Sequence, residues 1–138
     1  MDLELIPLCR VQATLASPLV VGPGPAGLRV IFDIQSVTVT GERLSGVMKG
    51  TSGADWLSIS GEVGTLDVRA TIETHDGALI FVQYRGRTNV SGGPGSPVYV
   101  APTFETGDPR YAWLNSIQAA GVGSTEGNVI TYDWFELR

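Results

Sequence analysis

Lysine, histidine, cysteine and long apolar runs are nearly missing from this chain, and each scarcity closes off a class of function. Of nine basic residues only Lys49 is a lysine, and the arginines are scattered along the sequence. Fourteen acids bring the formal net charge to −5. An acidic surface repels a phosphate backbone and no basic run offsets it, so nucleic acid is not an expected partner. His75 and Cys9 are the only residues of their types. One cysteine forms no internal disulfide, and this pair alone is too little for a zinc site, so no metal is expected. No apolar stretch approaches the roughly 20 residues that span a bilayer, so no membrane partner is expected either. The start, Met1-Asp2-Leu3-Glu4, carries acids where a secretory signal carries positive charge, and the expected setting is cytoplasmic.

Helical periodicity is also scarce. What fills the 138 residues is alternation with period two, broken by eighteen glycines and eight prolines. Leu3, Leu5, Cys9, Val11, Ala13 and Leu15 share one parity; Glu4, Arg10, Gln12 and Thr14 share the other. Further strands are predicted near 28–39, 44–48, 55–60, 66–74, 78–87, 98–106, 115–120 and 129–137. The one helical candidate is Asp108-Pro109-Arg110-Tyr111-Ala112-Trp113, where Asp108 is placed to cap and Pro109 to open a single turn. Eight to ten short strands without a helical layer predict an all-β fold, a closed antiparallel barrel forming one domain over residues 1–138. Closure also removes exposed strand edges.

Several motifs dissolve on inspection. Gly22-Pro23-Gly24-Pro25-Ala26-Gly27 formally fits the dinucleotide fingerprint. Its prolines remove backbone donors, however, and a strand rather than a helix follows, so it reads as a loop. The Ser91–Pro97 stretch reads as a flexible loop, a plain connector ahead of a lid beside a barrel mouth. His75 precedes Asp76-Gly77 at a hairpin tip, where a polar turn residue is ordinary.

That hairpin carries the strongest local signal. Leu66, Val68, Ala70 and Ile72 alternate with Asp67, Arg69, Thr71 and Glu73. Asp76-Gly77 suits a two-residue type I′ turn, which sets Arg69 opposite Tyr84 and Thr71 opposite Val82. The polar parity is then either a wet outer face or the wall of an interior pocket. Val82 and Tyr84 on the matching parity favour the pocket. On that reading Asp67, Arg69, Tyr84 and Trp113 point into one cavity. The tryptophans are barrel-core residues that also make walls for flat organic ligands.

Gly53-Ala54-Asp55-Trp56, Leu66-Asp67-Val68-Arg69-Ala70-Thr71, Asp76-Gly77-Ala78-Leu79-Ile80 and above all Phe104-Glu105-Thr106-Gly107-Asp108-Pro109-Arg110-Tyr111-Ala112-Trp113-Leu114-Asn115 resemble the family called domain of unknown function 3237. The resemblance is colinear over nearly the whole chain. It implies a small antiparallel barrel, often a homo-oligomer, with no metal or organic cofactor. Some members are linked to natural-product hydroalkoxylation, in which a hydroxyl adds across an activated double bond. One departure is the short Gly/Pro loop over 88–97, where relatives often carry a longer insertion. The expected function is a cofactor-independent acid/base cyclase, lyase or isomerase acting on a small molecule. The alternative is a non-catalytic binding barrel. Asp67 or Glu105 is the expected base, and Arg69, Tyr84 or Tyr111 the oxyanion partner. Asp55, Trp56, Tyr111, Trp113 and Asn115 are the expected substrate contacts.

Overall fold

The computed structural model describes residues 1–138. Eleven strands form one antiparallel sheet: β1 (Leu5–Leu15), β2 (Leu19–Gly24), β3 (Gly27–Thr40), β4 (Gly46–Met48), β5 (Ala54–Ser60), β6 (Val63–Thr74), β7 (Leu79–Asn89), β8 (Val98–Val100), β9 (Thr103–Glu105), β10 (Ala119–Glu126) and β11 (Val129–Leu137). Eight of them close a circuit, β1-β3-β5-β6-β7-β8-β10-β11 and back to β1. This is the closed barrel that alternation predicts. Two 3-10 helices, Val90–Gly92 and Pro109–Ser116, are its only helical segments. Neither is long and apolar enough to cross a membrane.

Two walls change strands halfway along. Between β3 and β6 the barrel is filled by β5 at one end and β4 at the other. Beside β7, β8 pairs with Gly86–Thr88 and β9 with Phe81–Gln83. Only β8 reaches β10; the Pro109–Ser116 helix packs against β9 and leads the chain on to β10. Residues 115 and 116 belong to that helix, and the predicted strand over 115–120 begins instead at Ala119. The Gly/Pro motif also holds more order than a loop. Leu19–Gly24 is a strand paired to β3, with a turn at Pro25-Ala26.

The β6–β7 hairpin decides which parity faces inward. Thr74 and Ala78 pair across a three-residue loop, His75-Asp76-Gly77. Gly77 alone has positive φ, at 91°. A type I′ turn needs two such residues, so Asp76-Gly77 is not that turn. The additional loop residue shifts the register by one: Val68 faces Tyr84, Asp67 faces Arg85 and Arg69 faces Gln83. A one-residue shift exchanges faces. Leu66, Val68, Ala70 and Ile72 therefore line the interior with Ile80, Val82 and Tyr84, and the polar parity lies outside.

The core fills the lumen from β1, β3, β6, β7, β10 and β11. Aromatic rings occupy its middle: Tyr84, Tyr132, Trp134 and Phe104 pack edge to face with centroids 5.5–6.0 Å apart. Their bulk is admitted by glycines on β10. A Cβ on Gly121 would lie 2.4 Å from the Trp134 ring, and one on Gly123 equally close to Tyr132.

Candidate functional site

The two ends of the barrel differ. At one end the β1–β2 connection (Ala16-Ser17-Pro18), the β10–β11 turn (Gly127-Asn128) and the rims of β3, β5, β6, β7 and β8 surround a cavity of about 520 Å³. Leu15, Phe32, Leu57, Leu66, Val98 and Ile130 give it apolar walls. Gln35, Thr88, Thr125 and Asn128 add neutral polar groups, and Asp55 is the one ionisable side chain that lines it.

Asp55 reaches the interior through a local break in pairing. β5 pairs with β6 at Ala54–Arg69 and Asp55–Val68, then resumes at Ser58–Thr65. Trp56 and Leu57 are skipped. In the gap the Asp67 N–H donates to Asp55 Oδ1 at 3.2 Å, and Arg29 donates to the Trp56 carbonyl at 2.8 Å. The backbone groups that lost ladder partners are thus satisfied by side chains. On the inner face Phe32, Asp55, Val68 and Tyr84 form one cross-strand row.

Burial raises the Asp55 carboxyl to about 7, only partly opposed by the Asp67 N–H; the Asp67 charge adds to the rise and Arg29 reduces it. Tyr84 and Tyr132, whose hydroxyls lie 3.5 Å apart, feel the same Asp55 charge from within the core. Burial holds both phenols above their ordinary range, so they stay protonated donors at neutral pH. The buried Trp134 Nε1 has no hydrogen-bond partner. Cys9 is also inside, its thiol pushed up to about 12 by burial and so unreactive.

The opposite end is plugged. Asp108 caps the Pro109–Ser116 helix by accepting from Arg110 N at 2.9 Å. Tyr111 donates to Asp76 at 2.8 Å, and Arg110 reaches Asp76 as well, tying the helix to the hairpin loop. Asn115 closes the preceding turn through both its amide atoms, to Thr106 N and O. Leu114 is fully buried. Arg43 stacks over Trp113 at 5.2 Å and pairs with the buried Glu136, which also holds Arg138. No three His, Cys, Asp or Glu side chains gather as a metal would require.

The expected site residues therefore do not share one cavity. Asp67 and Arg69 lie on the outer face of β6, displaced there by the three-residue loop. Arg69 sits 5.9 Å over the outward Trp56 ring. Glu105 is exposed on the outer side of β9. Tyr111, Trp113 and Asn115 belong to the plug, ten residues of β6 and its turn away from the cavity wall at Leu66. Asp55 and Tyr84 are inside. Sequence reading undervalued Asp55, although a signal was present: it shares parity with Leu57 and Ile59, and an acid on an apolar parity is the informative case. Tyr132 and Trp134 carry a similar signal, since they continue the parity of Ile130.

A family model described as "Protein of unknown function (DUF3237)" matches residues 3–137. The chain belongs to this family. Among its relatives, the UPF0311 protein RPA1785 of Rhodopseudomonas palustris is 31% identical over 121 residues, 78% of each chain. A β-barrel like protein from Acinetobacter baumannii superposes with a TM-score of 0.90 at 29% identity, covering 100% of this chain and 98% of that one. A protein from Penicillium herquei described as an enzyme gives 0.71 at 22% identity, covering 98% and 93%. At that identity the last likeness speaks for the fold alone. The DUF3237 barrel thus joins an open end with one half-buried acid to an end closed by the Pro109–Ser116 helix.

Proposed function

We propose that this DUF3237 barrel is a cofactor-independent acid/base enzyme, with Asp55 as the proton carrier at the base of the open cavity. One observation carries the reading. The cavity's only ionisable side chain is a carboxyl held near neutrality by burial, where general acid/base groups work best. The lining offers no cation, so the preferred ligand is a neutral, mostly apolar molecule with a hydroxyl and a conjugated carbonyl. The proposed step is an intramolecular hydroxyl addition. Ionised Asp55 takes the hydroxyl proton as that oxygen bonds to the β-carbon of an enone, and the π electrons move onto the carbonyl oxygen. Protonated Asp55 then returns the proton to the α-carbon, so the product is an isomer and nothing else is consumed. Tyr84 and Tyr132 stand in the same lumen and feel the Asp55 charge, and the Tyr84 hydroxyl donates to that of Tyr132. A positioned base contributes about 10²–10⁴-fold. That one structural neighbour is described as an enzyme agrees with this reading.

The apolar walls also suit a barrel that only binds. 2′-Hydroxychalcone, whose phenol closes onto its own enone, separates the two. An enzyme closes the ring faster than buffer does, at a rate rising with pH through about 7 as Asp55 ionises. Asp55→Asn then loses the acceleration but retains binding. Equal closure rates with the native protein, with Asp55→Asn and in buffer, despite saturable binding, would leave the binding barrel as the answer.

A further inference from the structure

Arginines that are scattered in the sequence are sorted by the fold into two groups. Arg10, Arg43, Arg110 and Arg138 each form a salt bridge, with Asp133, Glu136, Asp108 and Glu136 respectively. Arg29, Arg69, Arg85 and Arg87 form none, and all four lie on one outer face, across β3, β5, β6 and β7. Register places Arg29, Ser58, Thr65, Arg87 and Tyr99 in one row across five strands. The next rows hold Asp67 beside Arg85, and Asp33 and Ala54 beside Arg69. Two aromatic side chains stand on the same face, Tyr99 at 60% and Trp56 at 37% exposure. Asp67 lies within the patch, Asp33 at its border, and Glu62 beside Arg87 and Tyr99 at its far edge. Four arginines without an acidic partner stand on one side of a chain with net charge −5, held only by neutral groups: Arg29 donates to the Trp56 carbonyl, Arg87 to the Gly86 carbonyl, and Arg69 lies over the Trp56 ring.

The geometry points to a docking surface for an extended acidic segment of a partner protein. Five strands at about 4.8 Å spacing span about 19 Å, the reach of about six extended residues. Alternate side chains of a segment laid along that row recur every 6.7 Å or so on one side, so two repeats approximate the three strand steps, about 14 Å, between Arg29 and Arg87. Each arginine offers planar, paired donors that fit a carboxylate. The limited patch and the acidic remainder of the surface favour a short acidic segment over a long polyanion, which would run onto repelling charge.

The test is an NMR titration of ¹⁵N-labelled protein with the blocked peptide Glu-Ser-Glu-Ser-Glu-Ser, its Gln-for-Glu counterpart, and a thymidine hexanucleotide. The acidic peptide should move the amides of Thr65, Asp67, Arg69, Arg85, Arg87 and Tyr99 and the Trp56 indole. Added salt should reverse this, and the exposed-site double variant Arg85→Gln/Arg87→Gln should bind roughly tenfold more weakly. Four results would each overturn the proposal: no shifts up to about 1 mM peptide, equal shifts with the Gln peptide, shifts mapping elsewhere, or tighter binding of the hexanucleotide to this face.

Discussion

The plugged end and the open end of this barrel are built by opposite rules. At the plugged end polar groups are paired several times over: Asp76 takes bonds from Thr74 and Tyr111, and Glu136 takes two arginines. Those partners hold the Asp76 and Glu136 carboxyls below their ordinary range. At the open end one carboxyl receives a single backbone donor, sits among apolar walls and rises to about 7. Satisfied acids stabilise and stay ionised, whereas an under-satisfied one changes charge near neutrality and is available for proton transfer. The Phe104–Asn115 stretch builds the first kind of end. A distinctive stretch of sequence can therefore mark a structural device.

The largest effect is expected at the plug. Leu114→Ala should cost about 2–5 kcal/mol, since the side chain is fully buried and the helix cannot collapse onto the void. Thermal denaturation measures this. Binding of 2′-hydroxychalcone at the far end, assayed well below the melting temperature, should be little changed. A collapse of binding with stability intact would mean that the two ends are not separable.

Asp55→Asn tests the other end through pH. The folded chain keeps the Asp55 proton up to about 7, while the unfolded chain releases it near its ordinary value of 3.8. Between those values the native state binds more protons, so this group's contribution falls as pH rises and levels off above about 7. The native protein should therefore lose stability relative to Asp55→Asn between pH 5 and pH 8, on the order of 2–4 kcal/mol. Parallel stability curves for the two proteins would remove Asp55 from the role given to it.

How much was legible follows the same division. Strand alternation carries the barrel, because half-buried strands must present one apolar face whatever their partners. It does not say how two strands align. That depended on a loop of three residues where two were expected, and the difference moved Asp67 and Arg69 to the outside and left Tyr84 within. The gap in β5–β6 pairing that admits Asp55 has no sequence signature beyond an acid on an apolar parity. The grouping of Arg29, Arg69, Arg85 and Arg87 is invisible before register is known. Gly77→Val sharpens the point about the loop. No atom lies within 4 Å of an added Cβ at Gly77, so the cost comes from its φ of 91° alone. It should exceed about 1 kcal/mol in chemical denaturation, and Gly77→Asn should recover most of it, because Asn tolerates positive φ far better than a β-branched residue. Equal stabilities for the two variants would place the strain elsewhere.

The smallest effect expected is at Asp67, and it separates the two carboxylates most cleanly. Both sit beside the same gap, one facing in and one facing out. Asp67 contributes to the site in two ways, through a backbone N–H that Asp55 accepts and through a negative charge that raises the Asp55 carboxyl. Asp67→Asn keeps the N–H and removes the charge. The carboxylate makes no ion pair within 4 Å, so stability should change by under about 0.5 kcal/mol. With the like charge gone, Asp55 becomes easier to ionise and its titration midpoint should fall slightly from about 7. The carboxyl carbon resonance of Asp55 followed against pH would report that movement, and ring closure of 2′-hydroxychalcone, if the barrel catalyses it, should persist with its pH profile displaced the same way. Loss of turnover in Asp67→Asn with the Asp55 titration unmoved would return the chemistry to the outer face. A direct role for Asp67 would then have to be built from the side of β6 that carries Arg69 and Arg85.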